Sequence, residues 1–277
     1  MIDLLILNGT VIDGSGNPGY KAAVAVEGDS IRVLRGEVGR VEAGRRIDAT
    51  GCIVAPGFID MHSHSPLMIL ANPTHAPKVR QGVTTEVIGV DGHSYAPFTR
   101  REDLLAFVEM NSGLEGSPPI DYDWSTVTSY LSRYDRKVAV NIALLVGNSA
   151  LRISALGWDD TPASPQAMAQ MRALLREAME EGAFGLSTGL DYPPGVYATT
   201  EELGELATEA AREEEGTLPG IAGYLVGPVT ILRGPDMDAS GVLHHIMICG
   251  QERRRIFSPA TLSAPPLDLL LRRIAYL

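Results

Sequence analysis

Pro56-Gly-Phe-Ile-Asp60-Met-His62-Ser-His64 is the stretch on which the reading of this chain turns. Side chains alternate between faces of an extended backbone, so histidines at i and i+2 point the same way and can reach one ion at the strand's end. If the strand belongs to a (β/α) barrel, its C-terminal end is where such proteins keep their chemistry. An isolated His-x-His equally suits two satisfied core or loop histidines. The sequence around it decides between the two.

Upstream, residues 4–54 alternate short β-branched runs with Gly-, Asn- and Pro-rich turns, such as Leu4-Leu-Ile-Leu, Asn8-Gly, Ala23-Val-Ala-Val26 and Ile31-Arg-Val-Leu34. That spacing predicts a small sheet of hairpins. From Ile53 the pattern becomes apolar strand-length runs separated by helical stretches, the signature of βα units and a parallel sheet. Four strands are predicted: 53–62, 83–88, 138–146 and 183–187. Between the last two, Ser164-Pro opens a helix carrying Met168, Met171, Leu174, Leu175 and Ala178 at helical spacing, and Gly182 ends it. A second helix is predicted from a Thr200 cap to Arg212. After Glu215 the βα period is lost: residues 216–277 hold no lysine, six arginines, four acids and six prolines.

Bulk properties narrow the class. The chain has 277 residues, 45% of them apolar, which is enough for one large or two smaller cores. A net charge of -11 argues against a sequence-independent grip on nucleic acid. No apolar run reaches membrane-spanning length and Met1-Ile-Asp-Leu-Leu-Ile has no leader pattern, so the expectation is a cytoplasmic protein without membrane contact. Cys52 and Cys249 form neither a disulfide framework nor a metal pair.

The wider stretch from Ile47 to Gly57 running into His62 and His64 resembles the entry sequence of the amidohydrolase superfamily, in which a small β-sandwich precedes a metal-bearing barrel. Gln81-Gly-Val-Thr-Thr-Glu-Val-Ile-Gly-Val-Asp91-Gly-His93-Ser-Tyr-Ala-Pro97 and Gly185-Leu-Ser-Thr-Gly-Leu-Asp-Tyr-Pro-Pro-Gly195 are similar to the N-acyl-D-amino-acid deacylase (D-aminoacylase) branch. The resemblance spans about residues 2–215. It implies an α/β fold: a β-sandwich portion over 1–54, the N-terminal half of a TIM-type (β/α) barrel over 55–215, and an atypical tail over 216–277.

It also implies a site. His62 and His64 fall on metal ligands, for one or two zinc ions. Asp91 falls where the branch places a bridging cysteine or acid, and a carboxylate can bridge with its two oxygens. Read locally, Asp91-Gly92 is also a common turn pair. His93 is a candidate at the pocket rim and Arg152 a partner for a substrate carboxylate, with a structural ion pair the alternative for Arg152. His75 and His93 otherwise read as surface or hydrogen-bonded loop residues.

The implied reaction is hydrolysis of the amide of an N-acyl-D-amino acid. Zinc would acidify water and polarise the carbonyl, and a carboxylate would shuttle the proton. No catalytic base is assignable. Relatives often carry histidine where this chain has Asn148, an expected fifth-strand histidine is absent near Gly220, and His244-His245 lacks the family's surrounding pattern. The chain therefore reads as an incomplete copy, with self-association or a partner chain as ways of completing the barrel. Alternatives are an inactive relative serving as a binding or assembly module, or a reading frame shifted near Glu213. A hydantoinase or dihydroorotase type fits less well, because the only lysines, Lys21, Lys78 and Lys137, lie away from the fourth strand, near which that type carries a modified lysine.

Overall fold

The computed structural model describes residues 1–217, apart from residues 37 and 40, together with the strand Val229–Arg233. Gly220, Asp236, Asp238, His244, His245 and Cys249 lie outside the described residues. The chain divides into two compact units.

The first unit comprises Met1–Ile59, Thr74–Thr85 and the strand Val229–Arg233. Its strands are β1 (Ile2–Leu7), β2 (Thr10–Val11), β3 (Tyr20–Lys21), β4 (Ala23–Glu27), β5 (Ser30–Leu34), β6 (Ala43–Asp48) and β7 (Cys52–Pro56). In place of the single sheet of hairpins predicted there are two: one has the order β5-β4-β1-β6, antiparallel except for the parallel pair β1 and β6, and the β2–β3 hairpin falls in the other. Leu4, Ile6, Val24 and Val26 of the first sheet pack with Val11 and Val54, which come from β2 and β7 of the second. The buried residues between the two sheets make this a β-sandwich. Leu5, Ala23 and Ala25 pack in a separate cluster, as the period of two requires.

The second sheet has the order β12-β7-β2-β3, where β12 is Val229–Arg233. It runs antiparallel to β7, with Val229 opposite Pro56 and Arg233 opposite Cys52. The sequence reading places no strand after Glu215. Val229-Thr-Ile-Leu-Arg is apolar and β-branched, but between prolines 228 and 235 it is too short to show a period.

The second unit comprises Asp60–Pro73 and the described chain from Glu86 to Thr217. A third sheet has the order β11-β10-β9-β8, with β8 Phe58–Asp60, β9 Val83–Ile88, β10 Asn141–Gly147 and β11 Gly185–Ser187. β10 and β11 run parallel, with Leu145 opposite Gly185. The predicted strand 53–62 is in fact two, because Gly57 breaks it. A Cβ at Gly57 would lie 2.2 Å from Oγ1 of Thr84, so only glycine allows that approach.

The helices are α1 (Pro66–Ala71), α2 (Ala76–Val79), α3 (Arg101–Met110), α4 (Ser112–Glu115), α5 (Val127–Leu131), α6 (Asn148–Leu156), α7 (Pro165–Glu180) and α8 (Thr200–Thr217). α7 starts as read: the Ser164 hydroxyl accepts from the amide of Ala167, and Met168, Met171, Leu175 and Ala178 form its buried face. α8 departs by one residue at its start, since the hydroxyl of Thr199, not Thr200, accepts from Glu202 N. None of the helices among the described residues is long and apolar enough to cross a membrane.

Candidate metal centre

The strand β8 stops at Asp60 because its Oδ1 accepts from the amide of His62 at 3.1 Å, so the two histidines sit just beyond the strand rather than on it. The alternation predicted for a strand nevertheless persists through His62-Ser63-His64-Ser65. The two histidines bring their Nε2 atoms within 3.1 Å of each other, while Ser63 and Ser65 both donate to the fully buried carboxylate of Glu86. One set of residues anchors the segment and the other set is presented by it.

Asp91 reaches the histidines from the loop after β9. Its Oδ2 lies 3.0 Å from Nε2 of His62 and 3.1 Å from Nε2 of His64. Its backbone is also a turn: His93 N donates to Val90 O at 2.9 Å, with Asp91 and Gly92 at φ 52° and 72°. Positive φ at both central positions is the type I′ pattern that suits Asp-Gly. Gly92 is further fixed by space, because a Cβ there would meet Oδ1 of Asn148 at 2.3 Å. The turn and the carboxylate's reach are two properties of one residue.

The arrangement fits a metal ion. Tetrahedral zinc with nitrogen and oxygen ligands at about 2.0–2.1 Å holds its ligand atoms about 3.3 Å apart, close to the separations here. Among the described residues, His62, His64 and Asp91 are the one group of His, Cys, Asp or Glu with ligand atoms so clustered. Hydrogen bonding alone accounts poorly for it, since two imidazole Nε2 atoms and a carboxylate oxygen crowd one point and few of the three contacts can each be given a proton. The His62 and Asp91 side chains are 58% and 46% exposed, so the site is open to solvent.

A residue that sequence reading misses stands behind His64. Nδ1 of His64 lies 2.9 Å from Oε1 of Glu115, whose side chain is 2% exposed. Burial raises the Glu115 pKa, and the hydrogen bond with His64 opposes that shift. Glu115 sits at the end of the four-residue α4, 51 positions along the chain from His64, and no local pattern marks it.

The other candidates fall elsewhere. His93 is buried at 1% exposure between the rings of Phe107 and Tyr192, and neither ring nitrogen has a hydrogen-bond partner among the described residues. It is thus neither the surface nor the hydrogen-bonded residue its loop position suggests. Burial lowers its pKa, the nearby His64 lowers it further, and Asp91 raises it. His75 is also buried, at the start of α2 with φ 40°.

Arg152 is fully buried in α6. Its guanidinium pairs with Glu202 of α8 and donates to Thr161 O at 2.7 Å, so the structure does not bring it to the histidine cluster. Asn148 is fully buried as well, its Oδ1 accepting from Gly189 N at 3.3 Å.

Parallel strands with helices between them, and imidazoles gathered with a carboxylate beyond the strand ends, define a metal-site protein built on part of a TIM-type barrel. The chain belongs to the amidohydrolase family, whose sequence pattern matches residues 45–230. It is 36% identical over 261 residues to a D-aminoacylase of Alcaligenes xylosoxydans xylosoxydans, covering 90% of this chain and 51% of that protein. It is 40% identical over 212 residues to an N-acyl-D-glutamate deacylase of the same organism, covering 76% and 42%.

A crystal structure of N-acyl-D-glutamate deacylase from Bordetella bronchiseptica, complexed with zinc and a phosphonate inhibitor, superposes with a TM-score of 0.67 at 36% identity, covering 77% of this chain and 44% of that one. A D-aminoacylase crystal structure gives 0.65 at 34%, with the same coverage. The chain spans about half the length of the curated relatives it matches. A match over 90% of the chain is more than residues 1–215 alone can supply, so the likeness runs further than the motifs do.

Proposed function

We propose that this chain forms the zinc-binding part of an amidohydrolase that cleaves the amide of N-acyl-D-amino acids, releasing the amino acid and a carboxylate. The observation that carries the proposal is the convergence of His62 Nε2, His64 Nε2 and Asp91 Oδ2 to within 3.0–3.1 Å of one another. The likeness to D-aminoacylases at 34–36% identity, and to a deacylase crystallised with zinc, supports both the reaction class and the metal. Zinc, when bound, supplies Lewis acidity toward the amide carbonyl and makes water acidic near neutral pH.

The chain's own residues hold and orient that ion. His62 and His64 offer neutral imidazole nitrogens, and Asp91 brings a negative charge that favours a cation. His93 is packed against the Tyr192 ring with both ring nitrogens buried, which leaves neither of them open to a substrate. Arg152 is left out of the substrate site, since its guanidinium is committed to Glu202 and Thr161.

The test is elemental analysis of the purified protein and of the His62→Ala, His64→Ala double variant. Zinc should be present in the first and lost from the second. Equal zinc in both would remove the two histidines from the site.

A further inference from the structure

His64 uses both ring nitrogens, and the two uses constrain each other. A neutral imidazole carries one N–H, so a proton on Nδ1 leaves Nε2 with a bare lone pair, and a proton on Nε2 blocks it as a ligand. Nε2 faces His62 and Asp91, whereas Nδ1 faces Oε1 of Glu115 at 2.9 Å. A carboxylate at Nδ1 selects the tautomer that exposes Nε2.

Glu115 is well held for such a role. Its side chain is 2% exposed, and its amide donates to Asn111 O at 2.9 Å. Gly116 follows at φ 77°, where a Cβ would come within 3.0 Å of Met68 Sδ on α1, the helix that leads out of the His62–Ser65 segment. Oε2 of Glu115 has no hydrogen-bond partner among the described residues, and the buried Tyr95 hydroxyl lies beside the carboxylate without meeting hydrogen-bond geometry. Oε1, the oxygen that is engaged, is engaged by His64. A buried carboxylate committed to one histidine nitrogen is costly unless that bond is made.

We propose that Glu115 is a positioning residue for the metal centre: it accepts the Nδ1 proton of His64, fixes the ring's plane and tautomer, and aims Nε2 at the ion. The proposal rests on the reading of His62, His64 and Asp91 as zinc ligands. Partners of this kind behind a ligand histidine typically change metal affinity by about 10- to 100-fold.

The experiment measures zinc affinity by chelator competition for the wild-type 277-residue chain and for Glu115→Gln, and reads the His64 ring tautomer by 15N NMR in zinc-free and zinc-loaded wild type. We expect Glu115→Gln to bind zinc about 10- to 100-fold more weakly, and wild-type His64 to carry its proton on Nδ1 in both states. Unchanged affinity in a folded Glu115→Gln variant, or a His64 proton on Nε2 in the wild type, overturns the proposal. The tautomer decides the matter alone if the variant does not fold. Zinc lost from the double-histidine variant but fully retained by Glu115→Gln sinks only the positioning role. Zinc retained by the double-histidine variant sinks the site itself.

Discussion

Asp91 joins a backbone requirement to a chemical one. Its φ of 52° needs a residue at ease in the left-handed region, and Asn meets that need about as well as Asp. Only Asp brings a charge to the two Nε2 atoms. Asp91→Asn should therefore leave the melting temperature of the zinc-free protein unchanged and weaken zinc binding, which titration calorimetry would read directly. Unaltered zinc affinity would reduce Asp91 to a turn former. At this scale the sequence is informative where chemistry and spacing coincide: His62, His64 and Asp91 sit in short motifs whose geometry follows from local backbone. Glu115 is illegible because it reaches His64 only through tertiary packing, and a glutamate in a short polar helix reads as a solvated one. Arg152 is legible only as a choice between a substrate carboxylate and a structural ion pair, since nothing local shows that a buried carboxylate 50 residues on will claim it.

The helices α6, α7 and α8 are tied by charge as well as by apolar packing. Arg172 pairs with Glu205 and Arg176 with Glu209 between α7 and α8, where the arginines are partly exposed and water screens them. Arg152 and Glu202 are different, being 0% and 2% exposed. Removing one partner of a buried pair strands the other charge at a cost of about 3–5 kcal/mol, whereas replacing both by apolar residues can be near neutral. Glu202→Ala should lower the urea midpoint accordingly, with the slope unchanged, and Arg152→Met combined with Glu202→Leu should recover most of the loss. A Glu202→Ala variant as stable as wild type would show that the pair contributes nothing. Elements with a long repeating face, such as α7, are plain in the sequence because its period survives for four turns. α4 and α5, of four and five residues, are too short to show one.

Among the described residues the sheet β11-β10-β9-β8 ends in β8 on one side and β11 on the other, where a closed TIM-type barrel has eight strands and no edge. The described residues also hold the candidate metal ligands His62, His64 and Asp91 without an assignable proton shuttle, and general acid–base catalysis is worth about 10²- to 10⁴-fold in rate. Any chelator-sensitive release of amino acid from N-acetyl-D-amino acids by the purified chain should therefore depend on a group beyond the described residues, and substitution of Asp236, Asp238 and His244 in turn should locate it. Turnover that survives all three substitutions would remove them from the reaction. The fold class was legible at this scale because βα alternation is a local pattern repeated many times. The return of β12 to the second sheet of the sandwich was not, since it depends on a pairing between distant segments.

That return has a consequence for the nascent chain. β7 leaves the ribosome long before the strand that covers its outer edge, as Pro56 must wait for Val229. At about 5–20 residues per second the wait is roughly 10 to 35 s. Throughout it, a row of backbone amides and carbonyls on β7 is open to any extended segment nearby, including the same strand on the next chain of a polysome. Translation speed through the barrel-forming segment thus sets how long the sandwich remains sticky.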